Sequence, residues 1–115
     1  MKQEDLTRCV DVFKAIAHPV RLRIVDMLAD GELCSCRIAQ EFHGCDRTTV
    51  SKHLALMVEK GVLHAEKRGV NVFYSLRLTC LSQAVRCVCA SLSADGCCAS
   101  SHCGCTAEKE NHREA

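Results

Sequence analysis

Asp46-Arg47-Thr48-Thr49-Val50-Ser51-Lys52-His53-Leu54, read together with the 22 residues after it, decides the fold. Asp46 is a good N-cap for a helix running from about Arg47 to Lys60, and Gly61 stops it. Val50, Leu54, Met57 and Val58 recur at helical spacing and give that helix a buried face. The other face carries hydroxyls, bases and a histidine. The period then changes. Val62-Leu63-His64-Ala65-Glu66-Lys67 and Val70-Asn71-Val72-Phe73-Tyr74-Ser75-Leu76 read as two strands around a turn at Arg68-Gly69.

Working outward, Leu6, Cys9, Val10, Phe13, Ile16 and Ala17 mark a first helix over 4–17. Pro19 fits the first turn of a second, which carries Val20, Ile24, Val25 and Leu28 and stops near Gly31. A short third helix falls around 34–42, with Ile38, Ala39 and Phe42 inward, and a turn holding Gly44 follows. Beyond the strands, Leu81, Ala84, Val85, Val88 and Leu92 mark a last helix over about 80–94. The order ααααββα, with two short helices around a glycine turn and a basic-tipped hairpin, predicts a mainly α winged helix-turn-helix. It occupies 1–94, and the Ser-, Gly- and Cys-rich stretch 95–115 reads as a flexible tail.

The 115 residues suffice for one modest core. With three Phe, one Tyr and no Trp, that core is built from Leu, Val, Ile and Ala. No stretch approaches the ~18 apolar residues of a membrane helix. The polar start Met1-Lys2-Gln3-Glu4-Asp5 lacks the apolar region of a signal peptide, so a cytoplasmic protein is expected. Net charge is only +1, but residues 61–90 carry Lys67, Arg68, Arg77 and Arg86 against Glu66 alone. A small basic patch on a near-neutral body suits a reader of double-stranded DNA. Eleven cysteines, an odd number without an export signal, point to metal binding or redox chemistry rather than a disulfide scaffold.

In a helix-turn-helix the N-terminal residues of the second helix read base edges in the major groove, and neighbouring polar groups hold phosphates. Arg47, Thr48, Thr49, Ser51, Lys52 and His53 are the expected contacts. Lys67 and Arg68 at the hairpin tip are placed to reach an adjacent groove or phosphate. An ordinary solvated helix face is the competing reading of the helix alone, and the hairpin directly after it favours DNA.

Four runs, Ala15–Ile24, Gly31-Glu32-Leu33-Cys34-Ser35-Cys36, Thr49–Leu56 and Lys60-Gly61-Val62-Leu63, occur in the order found in the ArsR/SmtB family of metal-responsive repressors. The chain resembles that family, most closely its arsenic-sensing branch, over about residues 5–92. The resemblance implies a homodimer packed through the first and last helices, bound to an operator palindrome until metal releases it. It also implies that Cys34 and Cys36 ligate the inducer. The inducer expected first is trivalent arsenic or antimony, then methylated trivalent arsenicals, then cadmium or lead. Soft thiolates favour such ions over magnesium or calcium. On a regular helix residues i and i+2 point roughly 200° apart, so ligation by both is expected to unwind the helix start.

Two departures from the arsenic branch stand out. Ala39 occupies the position of a frequent third cysteine, and Arg37 that of the usual aspartate. Cys9 is one candidate third ligand, although it falls on an apolar stripe where core packing competes. The tail is another: Cys97, Cys98 and Cys103 resemble a C-terminal arsenical site of some family members. Cys45, Cys80, Cys87 and Cys89 read as mostly structural. The family's zinc site on the last helix needs His and carboxylates, and 80–92 has none.

Two rivals are weaker. Cys80 and Arg86 form a Cys-x5-Arg string like that of arsenate reductases. Eleven cysteines and nine arginines produce one such string about once by chance, and here it lies within a helical pattern. A thiol-rich metal buffer needs neither recognition helix nor hairpin. The chain is therefore expected not to be an enzyme and to need no organic cofactor.

Overall fold

The chain's own apolar spacing accounts for most of the elements seen in a computed structural model, which describes residues 1–93. The chain divides into two units, Met1–Thr79 and the segment from Cys80 onward. The first unit contains α1 (Gln3–Ile16), α2 (Pro19–Met27), a 3-10 turn (Leu28–Asp30), β1 (Leu33–Cys34), α3 (Ser35–Gln40), α4 (Arg47–Glu59), β2 (Leu63–Arg68) and β3 (Asn71–Leu76). The second contributes α5 (Cys80–Leu92). No helix of the described residues is long and apolar enough to cross a membrane. The tail from Asp95, with Cys97, Cys98 and Cys103, lies outside the described residues.

The expected element boundaries recur with local reasons. Pro19 opens α2, where its missing N–H costs nothing, and His18 caps the helix by accepting from the Val20 N–H at Nδ1 (3.1 Å). Asp46 holds the N-cap position of α4 in extended backbone, but its side chain makes no capping bond; only its carbonyl accepts, from Val50 N–H. Lys60 and Gly61 end α4, and Gly61 takes φ 85°, a conformation glycine alone adopts cheaply.

Ile24 and Val25 of α2, Leu28 of the 3-10 turn, Ile38 of α3 and Val50, Leu54 and Met57 of α4 are buried, together with Val62 and Leu63. This core joins α2, α3 and α4 beneath the sheet, with α4 packed against β2. Ala39, Phe42, Val20 and Val58, expected inward, are half-buried at its margin.

Helix α1 departs from expectation. Leu6, Val10 and Phe13 remain 44%, 42% and 55% exposed, and only Ala15 and Ile16 are buried. Cys9 is exposed as well, so it is not a core residue. The stripe is real, but only its last turn reaches full burial.

Two elements escaped the sequence pattern. The 3-10 turn prolongs α2 by three residues, and β1 is a two-residue strand. Its pairing makes the sheet three-stranded and antiparallel, in the order β1-β3-β2, with Leu33 opposite Tyr74 and Cys34 opposite Phe73. Across the hairpin, Glu66 faces Phe73 and Arg68 faces Asn71. The loop is therefore Gly69-Val70. Gly69 takes φ 64° and Val70 does not have positive φ, the pattern of a type II′ hairpin. Beyond Leu63, every residue of β2 is exposed, so this hairpin is a wing standing in solvent.

Candidate DNA interface and thiol site

Helix α4 presents a polar face because its apolar positions are locked beneath it. Val50, Leu54 and Met57, spaced i, i+4, i+7, fix its rotation. Arg47, Thr48, Thr49, Ser51 and Lys52 are consequently all exposed on its N-terminal half. That set offers two cations and three hydroxyls, suited to phosphate oxygens and base edges.

His53 does not belong to that exposed face, which corrects the expectation. It borders the buried stripe and is half-buried. Its Nδ1 accepts from Arg21 Nε (3.1 Å), and its ring lies 4.6 Å from that of His18. Arg21 also donates to the Ala15 carbonyl through Nη1 (3.2 Å). Burial, then the charges of His18 and Arg21, hold the His53 pKa below its usual value. The neutral ring thus ties α4 to α2. Arg21 gave no sequence signal, since arginine at the edge of an amphipathic helix is commonplace.

The wing tip is also less cationic than its sequence suggests. Lys67 is exposed and forms no ion pair among the described residues. Arg68 is occupied. Nη1 donates to Glu32 Oε2 (2.8 Å), and Nη2 donates to Glu32 Oε1 (3.0 Å) and Glu66 Oε1 (2.9 Å). Its guanidinium lies 4.6 Å from the centre of the Phe73 ring. The hydrogen bond from Arg68, then its charge, lower the Glu66 pKa, and the two carboxylates raise that of Arg68. Of the two basic residues expected to reach DNA from the wing tip, Arg68 is thus engaged within the protein.

Cys34 and Cys36 come together, by a route the sequence argument did not foresee. Cys34 is not in the helix. It ends β1 and caps α3 with extended backbone (φ −79°, ψ 158°). Only Cys36 is helical, so the 200° divergence of two helical residues does not apply. The two Sγ atoms lie 2.8 Å apart. Ligation by both thus needs no unwinding of α3, contrary to expectation. Their mutual hydrogen bond lowers the Cys34 pKa, aided by the Arg37 backbone, and raises that of Cys36. Of the two thiols, Cys34 is the more readily ionised.

Cys9 is exposed on α1; Cys45 is half-buried; Cys80 and Cys89 are exposed and Cys87 is half-buried on α5. Cys80 opens α5 and Arg86 lies within the same continuous helix. Ala39 is half-buried, and Arg37 donates to Gln40 Oε1 (3.4 Å). Among the described residues no group of three or more metal-ligating side chains converges. The chemistry of two convergent thiols fits a soft, thiophilic ion.

Comparison with known proteins agrees with this geometry. A helix-turn-helix domain family matches residues 16–65, from the end of α1 to the start of the wing. The transcriptional repressor SdpR of Bacillus subtilis is 32% identical over 75 residues, covering 65% of this chain and 82% of that protein. An arsenical resistance operon repressor of Staphylococcus aureus is 27% identical over 97 residues, covering 75% of this chain and 92% of the repressor. Among solved structures, the homodimeric winged helix-turn-helix domain of Mb0332 from Mycobacterium bovis, described as a possible ArsR-family regulator, superposes with a TM-score of 0.69. It is 28% identical, over 79% of this chain and 89% of that one.

Proposed function

The chain belongs to the ArsR family of winged helix-turn-helix transcriptional regulators, and on that premise we propose that it is a homodimeric repressor released from operator DNA by a trivalent metalloid, arsenite or antimonite. The reading is carried by one observation, the two convergent sulfurs of Cys34 and Cys36 at the start of α3. Helix α3 packs on α4, so the thiol pair sits within the DNA-reading motif itself.

Each residue has a task. Arg47, Thr48, Thr49, Ser51 and Lys52 meet the major groove, and Lys67 meets a flanking phosphate. Cys34 and Cys36 hold the inducer, with the Cys34 thiol made more acidic by its neighbour. The bound metalloid supplies bonds to sulfur that fix β1 and the start of α3 in one arrangement. DNA and inducer then oppose each other reciprocally, each weakening the other by the same factor. The exposed stripe of Leu6, Val10 and Phe13 is covered by a second copy. The exposure of Cys9 supports a third ligand donated between copies, as does the lack of one in the same chain among the described residues. Cys97, Cys98 and Cys103 of the tail are the alternative donors. An exposed Cys9 also suits cadmium or lead, the second inducer class. A cytoplasmic regulator with no catalytic step is consistent with this role.

X-ray absorption at the arsenic edge tests the ligand set. Arsenite-loaded protein is expected to show two or three sulfurs per arsenic, reduced in Cys34→Ser/Cys36→Ser and with Cys9→Ser or Cys97→Ser/Cys98→Ser reporting the third. An unchanged sulfur count in the Cys34→Ser/Cys36→Ser protein overturns the assignment.

A further inference from the structure

The three strands carry one row of residues whose members belong to different parts of the machinery. Cys34 on β1 is opposite Phe73 on β3, and Phe73 is opposite Glu66 on β2. Directly opposed residues of an antiparallel pair share a face, so the inducer-binding thiol, the ring and the wing carboxylate lie along one side of the sheet. Arg68, two residues beyond Glu66, shares that face as well. Its guanidinium lies over Phe73, bonds back to Glu66 and reaches across to Glu32, two residues before Cys34. It bridges the outer wing strand to the lead into β1, about 10 Å away at two strand spacings.

An isolated exposed ion pair contributes little. This one is different in kind: a bidentate fork on Glu32, a third bond to Glu66, and an aromatic ring beneath. Both terminal nitrogens of Arg68 are taken, and a phosphate approaching them meets two carboxylates. We infer that Arg68 is not a DNA contact but a positioning residue, clamping the wing to the strand that carries Cys34 so that capture of the inducer there is transmitted to the wing. The inference rests on the proposed role of Cys34 and Cys36 as inducer ligands. In the clamped sheet, a shift of Cys34 moves Glu32, and with it the angle at which the wing meets DNA. Without the clamp the wing binds DNA but no longer follows the thiols.

The test uses a duplex selected from random-sequence DNA by the wild-type protein, with binding measured against salt concentration, with and without arsenite. Arg68→Lys keeps the charge but loses the fork, and Glu32→Gln removes the carboxylate at the far end of the bridge while leaving Arg68 on Glu66. Both are expected to bind the duplex with a wild-type salt dependence. In both, the arsenite effect, expected at about 5–150-fold in the wild type, shrinks toward onefold. The double variant is expected to lose no more than either single one. Two results overturn the inference: variants with the full wild-type arsenite response, or an Arg68→Gln protein whose log–log salt slope falls by about 0.9 per protomer, the signature of a lost phosphate contact. A wild type that ignores arsenite defeats the proposed function, and this inference with it. A wild type that responds, beside variants that respond equally, defeats the clamp alone.

Discussion

Phe13 is the largest side chain on the exposed stripe of α1, and its replacement by alanine tests whether a second copy covers that stripe. It is 55% exposed in the single chain. Fully burying such a side chain contributes about 1.5–3 kcal/mol. Burying the exposed 55% then contributes ~0.8–1.7 kcal/mol per protomer, or ~1.6–3.3 kcal/mol per dimer of two equivalent copies. At about 1.4 kcal/mol per factor of ten, Phe13→Ala should weaken dimerisation roughly 15- to 250-fold. Sedimentation equilibrium over a concentration series measures the constant directly. Circular dichroism should show unchanged helix content at concentrations where both proteins are dimeric, because the buried residues of α1 are Ala15 and Ile16. Operator affinity should fall in parallel at low protein concentration and recover at high. A dimerisation constant within twofold of wild type refutes the assignment of this stripe to the dimer contact.

Three further outcomes are expected. His53 is held neutral by burial and by two neighbours, so the unfolded chain takes up its proton first as pH falls. Its contribution to stability is complete above about pH 6.5 and declines as pH drops through that value toward the lower folded pKa; denaturant melts should show the decline, and His53→Gln should lessen it. Lys52→Ala should reduce the salt slope of operator binding by about 0.9 per protomer while leaving sequence preference nearly intact, if Lys52 holds a phosphate; an unchanged slope places it off the backbone. The hydrogen bond with Cys36 lowers the Cys34 pKa, so Cys36→Ala should move the pH profile of Cys34 alkylation upward; a profile that stays in place shows that Cys36 does not acidify Cys34.

What could be read from the sequence was whatever repeats. The stripes of α2 and α4, the proline at the start of α2, the glycine after α4 and the hairpin around Gly69 are local patterns whose physics does not need the rest of the molecule. The exposure of Arg47, Thr48, Thr49, Ser51 and Lys52 followed directly, since fixing the buried side of a helix fixes the other. Long-range events were not legible. β1 has only two residues, too few for any period, and exists because β3 offers it an edge. Its presence moved Cys34 out of the helix and brought the two sulfurs together. Likewise, sequence shows the charges of Arg68, Glu32 and Glu66 but not that they meet, 36 residues apart in one case. His53 misled because a residue three places from Val50 lies at the edge of the buried stripe, and only the position of Arg21 on α2 decides its side. The stripe of α1 was visible, but periodicity does not tell whether an apolar face meets its own chain or another.

The central claim is that Cys34 and Cys36 control the grip of α4 and the wing on DNA. Arsenite titrated into the wild-type protein bound to its selected duplex, with fluorescence anisotropy as readout, tests it most directly. Wild-type protein should release the duplex, and a competing dithiol should restore binding. Cys34→Ser/Cys36→Ser protein should bind as tightly as wild type before addition and stay bound after it. Release of the double-serine protein at the same arsenite concentration would contradict the account.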